Sequence, residues 1–258
     1  MVCNSAAYAQ TTLNISPGVR HFYYKETTAK GLFLDKETGR IAGIQGHLTQ
    51  QANQNSIYSS LNIGLFDGRI EYDGHTQAGK TLVTRTNETF YNAGLSLGKR
   101  LGTTETPLTI YTTLEYHWWD RDILPTNTTQ GLFERYKWWE LSFGVTIDVT
   151  ANPSHDLTLD LSLSHTLQPK MMVDLSSQGF GKPVLDLDSK LGAAIKLSYT
   201  LYSADNYQFG VAGKYKTWKF GASKPKAINN GVRRITITEP DSATHTVEMQ
   251  FVVEHYFF

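Results

Sequence analysis

The sequence predicts an all-β fold, a closed antiparallel up-and-down transmembrane β-barrel of about ten strands. Three observations carry this. Apolar and polar residues alternate with period two in segment after segment; the alternating runs are about nine to eleven residues long, the length of a tilted membrane strand; and the connections between them alternate short and long. No run of eighteen apolar residues occurs, so a helical span is excluded by length. With 40% hydrophobic residues and 24 basic against 24 acidic side chains, the chain is neither disordered nor furnished with the broad positive field of a nucleic-acid binder. The single cysteine, Cys3, excludes a disulfide framework and a Cys-based metal site.

Before the first strand, Ala7 and Ala9 are spaced for cleavage before Gln10, so residues 1–9 read as the remnant of a secretory signal and 10–258 as the barrel domain. Weaker strands fall near Val19–Lys25 and Ile41–Gln50. The clear ones begin at Ile57, Ser59, Leu61, Ile63, Leu65, set against Tyr58, Ser60, Asn62, Gly64. Next come Tyr91, Ala93, Leu95, Leu97; then Leu108, Ile110, Leu114, Tyr116, Trp118; then Trp139, Leu141, Phe143, Val145, Ile147. Leu157, Leu159, Leu161, Leu163 follow, and then Leu191, Ala193, Ile195, Leu197, Tyr199, Leu201. The last two are Tyr207, Phe209, Val211, Tyr215 and Val247, Met249, Phe251, Val253. Side chains two apart share a face, so each run has one apolar wall and one small or polar wall.

Alternation alone does not say which wall is inside, because soluble sheets alternate too. The polar wall carries both signs of charge, which can pair across a closed lumen. Aromatic residues such as Trp118-Trp119, Trp138-Trp139 and Tyr256-Phe257 crowd the strand ends, as interfacial girdles do. The apolar wall is therefore assigned to lipid, with Leu61, Leu95, Leu141, Leu161, Ile195 and Val211 as its test residues. Gln51–Asn55, Gly102–Pro107, Ala151–Ser154 and Ser203–Asn206 are brief connections, whereas Thr27–Gly39, Asp67–Arg85, Asp120–Gly131, Gln168–Ser189 and Ala222–Ser242 are expected as five long extracellular loops. Both termini then lie in the periplasm.

From Ile15 to Phe258 the chain resembles the Gram-negative outer-membrane β-barrel proteins. That resemblance implies the outer membrane as location, with lipid and lipopolysaccharide as its surroundings. It also makes the C-terminal Tyr256 and Phe258 an address for the barrel assembly machinery, although counting back by twos from Phe258 meets Glu254 and Gln250 rather than apolar residues. Ten-stranded barrels of this size include the omptin proteases, whose rim holds an Asp pair facing an Asp-x-His pair. Here Asp67, Asp73, Asp120 and Asp122, with His75 and His117, do not match that pattern, and the fourth loop offers Asp174, Asp186 and Asp188 without His.

The candidate functional residues form two sets. A lumen charge network comprises Arg100, Glu115, Glu140, Asp148, Asp160, Lys196, Lys214, Lys216 and Glu248; it reads as a paired filling, narrowed by Tyr111, Trp119, Trp138 and Trp218, in preference to a selectivity surface. An extracellular basic collar comprises Lys30, Lys36, Arg40, Lys224, Lys226, Arg233 and Arg234, suited to lipopolysaccharide phosphates or an anionic partner. The stretches Asp67–His75 and His117–Asp122 are further patches of interest. The pairs Ser164-His165 and His47 with Thr49 are weak as hydrolase sites, the scattered histidines show no metal-ligand spacing, and no cofactor motif occurs. The expectation is a non-catalytic barrel whose surface loops bind a partner or lipopolysaccharide; a narrow channel is the alternative, and a rim hydrolase the third.

Overall fold

The computed structural model describes residues 10–28, 30–51, 57–75, 79–102, 107–149, 156–204 and 206–257. The signal remnant, Phe258 and most of the four brief connections lie outside the described residues. In chain order the strands are β1 Gln10–Thr27, β2 Phe33–Gln51, β3 Ile57–His75, β4 Thr81–Gly102, β5 Pro107–Ile123, β6 Leu132–Asp148, β7 Leu157–Asp174, β8 Val184–Asp186, β9 Leu191–Ala204, β10 Tyr207–Phe220, β11 Lys226–Asn229, β12 Arg234–Ile237 and β13 Asp241–Phe257. Ten of them close a barrel in the order β6-β5-β4-β3-β2-β1-β13-β10-β9-β7, with β7 returning to β6. Every barrel pairing is antiparallel between neighbours in that order, so no strand edge is left open to lipid.

The register fixes the direction of each wall. Leu61 pairs with Leu95 and Leu95 with Leu114, Leu114 pairs with Leu141, and Leu161 pairs with Ile195; these side chains share the outer wall. Leu61, Leu95, Leu161, Ile195 and Val211 are exposed there, which is the cost-free state only when the surroundings are hydrocarbon. Opposite them, Ser60, Asn62, Ser96 and Ser164 are buried inside.

The strands run well beyond the bilayer. With β4 at 22 residues, a rise of roughly 3.3 Å per residue gives about 70 Å of strand, far more than the ~25 Å apolar band needs at a tilt of about 40°. On β3 the outward row changes from Leu61, Ile63 and Leu65 to Asp67, Arg69, Glu71 and Asp73, which marks the top of the membrane. Two of the segments expected as long loops are therefore mostly strand: β1 reaches Thr27 and β2 starts at Phe33, and β3 reaches His75 and β4 starts at Thr81; the third, Asp120–Gly131, is shortened by β5 reaching Ile123, with β6 starting at Leu132. The reason is that above the bilayer the outer wall meets water while the inner wall packs on the buried cluster, so the apolar-out alternation ends while backbone pairing continues. Among the described residues the β7–β9 and β10–β13 connections form the true excursions. The first carries a 3₁₀ turn at Ser176–Gln178 and β8, which pairs back onto β7; the second folds into the β11–β12 hairpin.

Candidate functional site: the barrel interior

The interior divides into two storeys. The lower one, reaching from Gln10, Gln51 and Tyr256 up to Trp138 and Trp218, holds a polar chamber of about 630 Å³. Its lining includes Arg100, Glu115, Glu140, Asp160, Lys196, Lys214, Lys216 and Glu248 from the lumen set. Asp148 pairs with Arg100 at 3.5 Å. Lys216 meets Glu140 at 2.7 Å, Glu248 meets Arg20 at 3.0 Å, and Asp160 accepts hydrogen bonds from Tyr111 and Thr146. Tyr111 reaches Asp160 by lying across Gly144, where a Cβ would sit 2.3 Å from the ring. Lys196 and Lys214 face each other directly across β9 and β10, and neither is in an ion pair with a described residue. Glu115 and Glu140 are likewise direct cross-strand neighbours, with His117 two residues along on the same wall.

The upper storey is packed. Phe90 stacks on Trp119, Trp119 on Tyr136 and Tyr136 on Phe220, with ring centroids 5.2, 4.6 and 5.9 Å apart, a continuous aromatic layer from β4 to β10. Phe22, Phe66, Ile41 and Ile70 fill the remaining space, and Leu185, Leu187 and Ile237 from the two excursions close it from above. Within this layer lies Arg121, 1% exposed. Its guanidinium donates to Glu37 at 3.0 Å, Glu26 at 3.0 Å and Glu134 at 2.7 Å, and lies 3.5 Å from Asp35. Glu88, held by the Trp119 indole, and Glu239, which accepts from Tyr136, complete a cluster of six buried carboxyls around one cation.

This cluster stands above the apolar belt, level with the outward charges of β3. Burial comes first in raising these acids, and like charge second: Asp35 is pushed up to about 8 by burial and by Glu26, Glu88 goes well above the ordinary range through burial and Glu37, and Glu239 rises through burial and Glu26. Asp35 therefore holds a proton at neutral pH, and the upward shifts of Glu88 and Glu239 act in the same sense, which eases the crowding of carboxyls around one arginine.

The other candidates fall apart. Asp67, Asp73, Asp120 and Asp122 all point outward, His75 stands at the tip of β3, and His117 points inward below the aromatic layer, so no Asp–His rim constellation forms among the described residues. Ser164 is buried in the lumen whereas His165, the next residue, points out, so the pair cannot act together. His47 and Thr49 are lumen residues bonded to Asn62 and Ser60. In the collar, Lys36 is tied to Asp73 at 3.2 Å, Arg40 is exposed on the outer wall, and Lys226 donates to the Val184 carbonyl; Lys30, Lys224, Arg233 and Arg234 are exposed on the extracellular turns. Of the assembly signal, Tyr256 turns inward and donates to Gln208, while Phe257 takes the outward position, and β13 shows no bulge that would shift the phase. Sequence reasoning missed Arg20, Arg121 and the acids around it.

No protein-family model matches the chain, and no curated protein matches it significantly. Among solved structures, it is similar to the outer-membrane protease OmpT of Escherichia coli over 100% of this chain and 99% of that one, with a TM-score of 0.65 and 8% identity. Weaker likenesses include the translocator domain of the autotransporter NalP of Neisseria meningitidis (TM-score 0.43, 11% identity, 94% and 88% covered) and OprG of Pseudomonas aeruginosa (0.37, 10%, 98% and 98%). The chain has the closed-barrel fold seen in Gram-negative outer-membrane proteins. At such identities the likeness extends to the fold and leaves the chemistry of each barrel its own.

Proposed function

We propose that this outer-membrane barrel is neither channel nor enzyme, and that it serves as a surface module whose extracellular projection binds an anionic partner, the lipopolysaccharide phosphates first among them. The observation that carries this is the sealed upper storey: aromatic stacking and the Arg121 carboxyl cluster occupy the lumen where a conduit would pass. Supporting it, Arg40, Arg135, Lys137 and Lys219 point outward just above the apolar belt, at the height of outer-leaflet headgroups. The exposed Lys30, Lys224, Arg233 and Arg234 add positive charge beyond them. Among the described residues neither storey brings together a nucleophile with a base on a substrate-accessible rim.

The test has two arms. Purified protein in planar bilayers should show no steady openings, and Arg40→Glu with Lys137→Glu should weaken binding of lipopolysaccharide to the detergent-solubilised barrel by an order of magnitude in low salt, since each contact of this kind is worth about 1 kcal/mol. Steady conductance would restore the channel, and lipid or peptide turnover would restore the hydrolase.

A further inference from the structure

We propose that the chamber holds a transition-metal site for a divalent cation of the zinc class, built from Glu115, His117 and Glu140. The three arise from one local rule of the sheet. Glu115 and His117 are two apart on β5 and so share the inner wall, and Glu140 on β6 is the direct register partner of Glu115. Their ligand atoms all lie within 4.8 Å of one another. His117 Nε2 is 2.9 Å from Glu115 Oε2 and 4.0 Å from Glu140 Oε1. Bonds of about 2.1 Å in a tetrahedral shell put ligand atoms about 3.4 Å apart, which those two separations bracket.

Independent of that spacing, the polar atoms are left unmatched. Glu140 is 3% exposed and its Oε2 has no hydrogen-bond partner among the described residues. His117 Nε2 has none either, because its contact with Glu115 is close but not aligned with the N–H direction. A buried carboxylate oxygen with nothing to accept from is costly unless a cation completes it. Among the described residues the cation in contact with Glu140 is the Lys216 ammonium, 2.7 Å from Oε1, which leaves the second carboxylate oxygen without a partner.

The surroundings hold the ligands still. Asn92 donates to Glu115 Oε1 at 2.6 Å, and Asn92 itself rests over Gly64, where a Cβ would sit 2.4 Å from its Oδ1. The His117 ring is stacked on Trp138 at 4.6 Å and 11°, which fixes its plane. Orienting contacts of this kind typify ligand sets that bind a metal. All three ligands line the chamber, so a hydrated ion entering from the periplasmic end reaches them with a face left open for water. One imidazole and two carboxylates favour zinc over magnesium or calcium, which take oxygen ligands alone. The site stands whether or not the lumen conducts, so it can fail without the sealed-barrel reading failing.

The experiment is calorimetric titration of the tag-free full-length barrel in detergent with Zn²⁺, beside Cu²⁺ quenching of tryptophan emission through Trp138. Saturable binding of one ion is expected, weakened at least tenfold by His117→Gln and by Glu140→Gln, on the scale typical of ligand-site perturbation. Lys216→Met, which removes the competing ammonium, should tighten it. Where a ligand variant fails to fold, wild-type Cu²⁺ quenching that saturates at one equivalent and is reversed by a large excess of Zn²⁺, as the tighter binding of Cu²⁺ requires, still decides. Absence of saturable binding, or binding that both ligand variants leave unchanged, overturns the proposal; a closed His117–Glu115 and Lys216–Glu140 ion network without metal is then the structure's meaning.

Discussion

Arg121 is the side chain on which the upper storey turns, because one guanidinium serves carboxyls from three other strands. Those carboxyls are Glu26 on β1, Asp35 and Glu37 on β2, and Glu134 on β6, with Arg121 itself on β5. Replacing it by Met leaves acids in a dry interior, and breaking a buried ionic network from one side costs about 3–5 kcal/mol. We expect Arg121→Met to lower the urea midpoint of the barrel refolded in liposomes, with a smaller loss at pH 5, where the acids can take up protons, than at pH 8. The wild type has its own pH dependence. Asp35 keeps its proton up to about pH 8 when folded but loses it near its ordinary 3.8 when unfolded. The folded state thus binds more protons between those values, and stability falls as pH rises through that window. Glu88 shifts in the same direction through burial, so Glu88→Gln should flatten the profile. A wild-type midpoint that climbs from pH 5 to pH 8 contradicts this account of the cluster.

At the scale of the strand, one outward row passes from lipid to water, and the penalty for charge should change along it. On β4, Leu95 lies within the apolar belt and Asn87 eight residues up the same wall. Leu95→Arg should cost about 2–4 kcal/mol of folding free energy in liposomes and Asn87→Arg about 0–1; equal penalties would place the membrane elsewhere on the barrel. The same passage explains what was legible in the sequence. Within the belt the walls differ sharply, so alternation revealed Glu115, Glu140, Lys196, Lys214 and Lys216 as lumen residues. Above it the contrast is lost or reversed: on β1 the inner wall carries Phe22 and Tyr24 while the outer carries His21 and Tyr23, and on β3 inner Ile70 and Tyr72 sit beside outer Glu71 and Asp73. Arg20 and Arg121 lie where the walls cease to differ, so period-two patterning passed over them. The Glu115–His117–Glu140 grouping was also invisible, since it needs the register of β5 against β6 and not merely the face of each strand.

On the scale of the whole molecule, the barrel is, in the proposed function, a vessel sealed at its upper storey. The aromatic layer and the two excursions separate the chamber from the extracellular side, while Gln10, Gln51 and Tyr256 place its lower limit at the periplasmic strand ends. On the proposed reading any solute in the chamber enters and leaves on the same side, which suits binding better than transport. Accessibility of introduced thiols tests that directly, in a Cys3→Ser background. Ser198→Cys lines the chamber and Asp73→Cys stands on the outer rim. In intact cells a membrane-impermeant maleimide too large for the general porins should label the rim position and spare the chamber position. Opening the outer membrane should make the chamber thiol reactive to a small impermeant reagent, because its route begins in the periplasm. A Trp119→Ala change in the layer should let the small reagent reach Ser198→Cys faster from outside, by thinning the stack between Phe90 and Tyr136. If the chamber thiol reacts in intact cells with the large reagent as fast as the rim thiol does, the upper storey is no seal and the barrel is a passage.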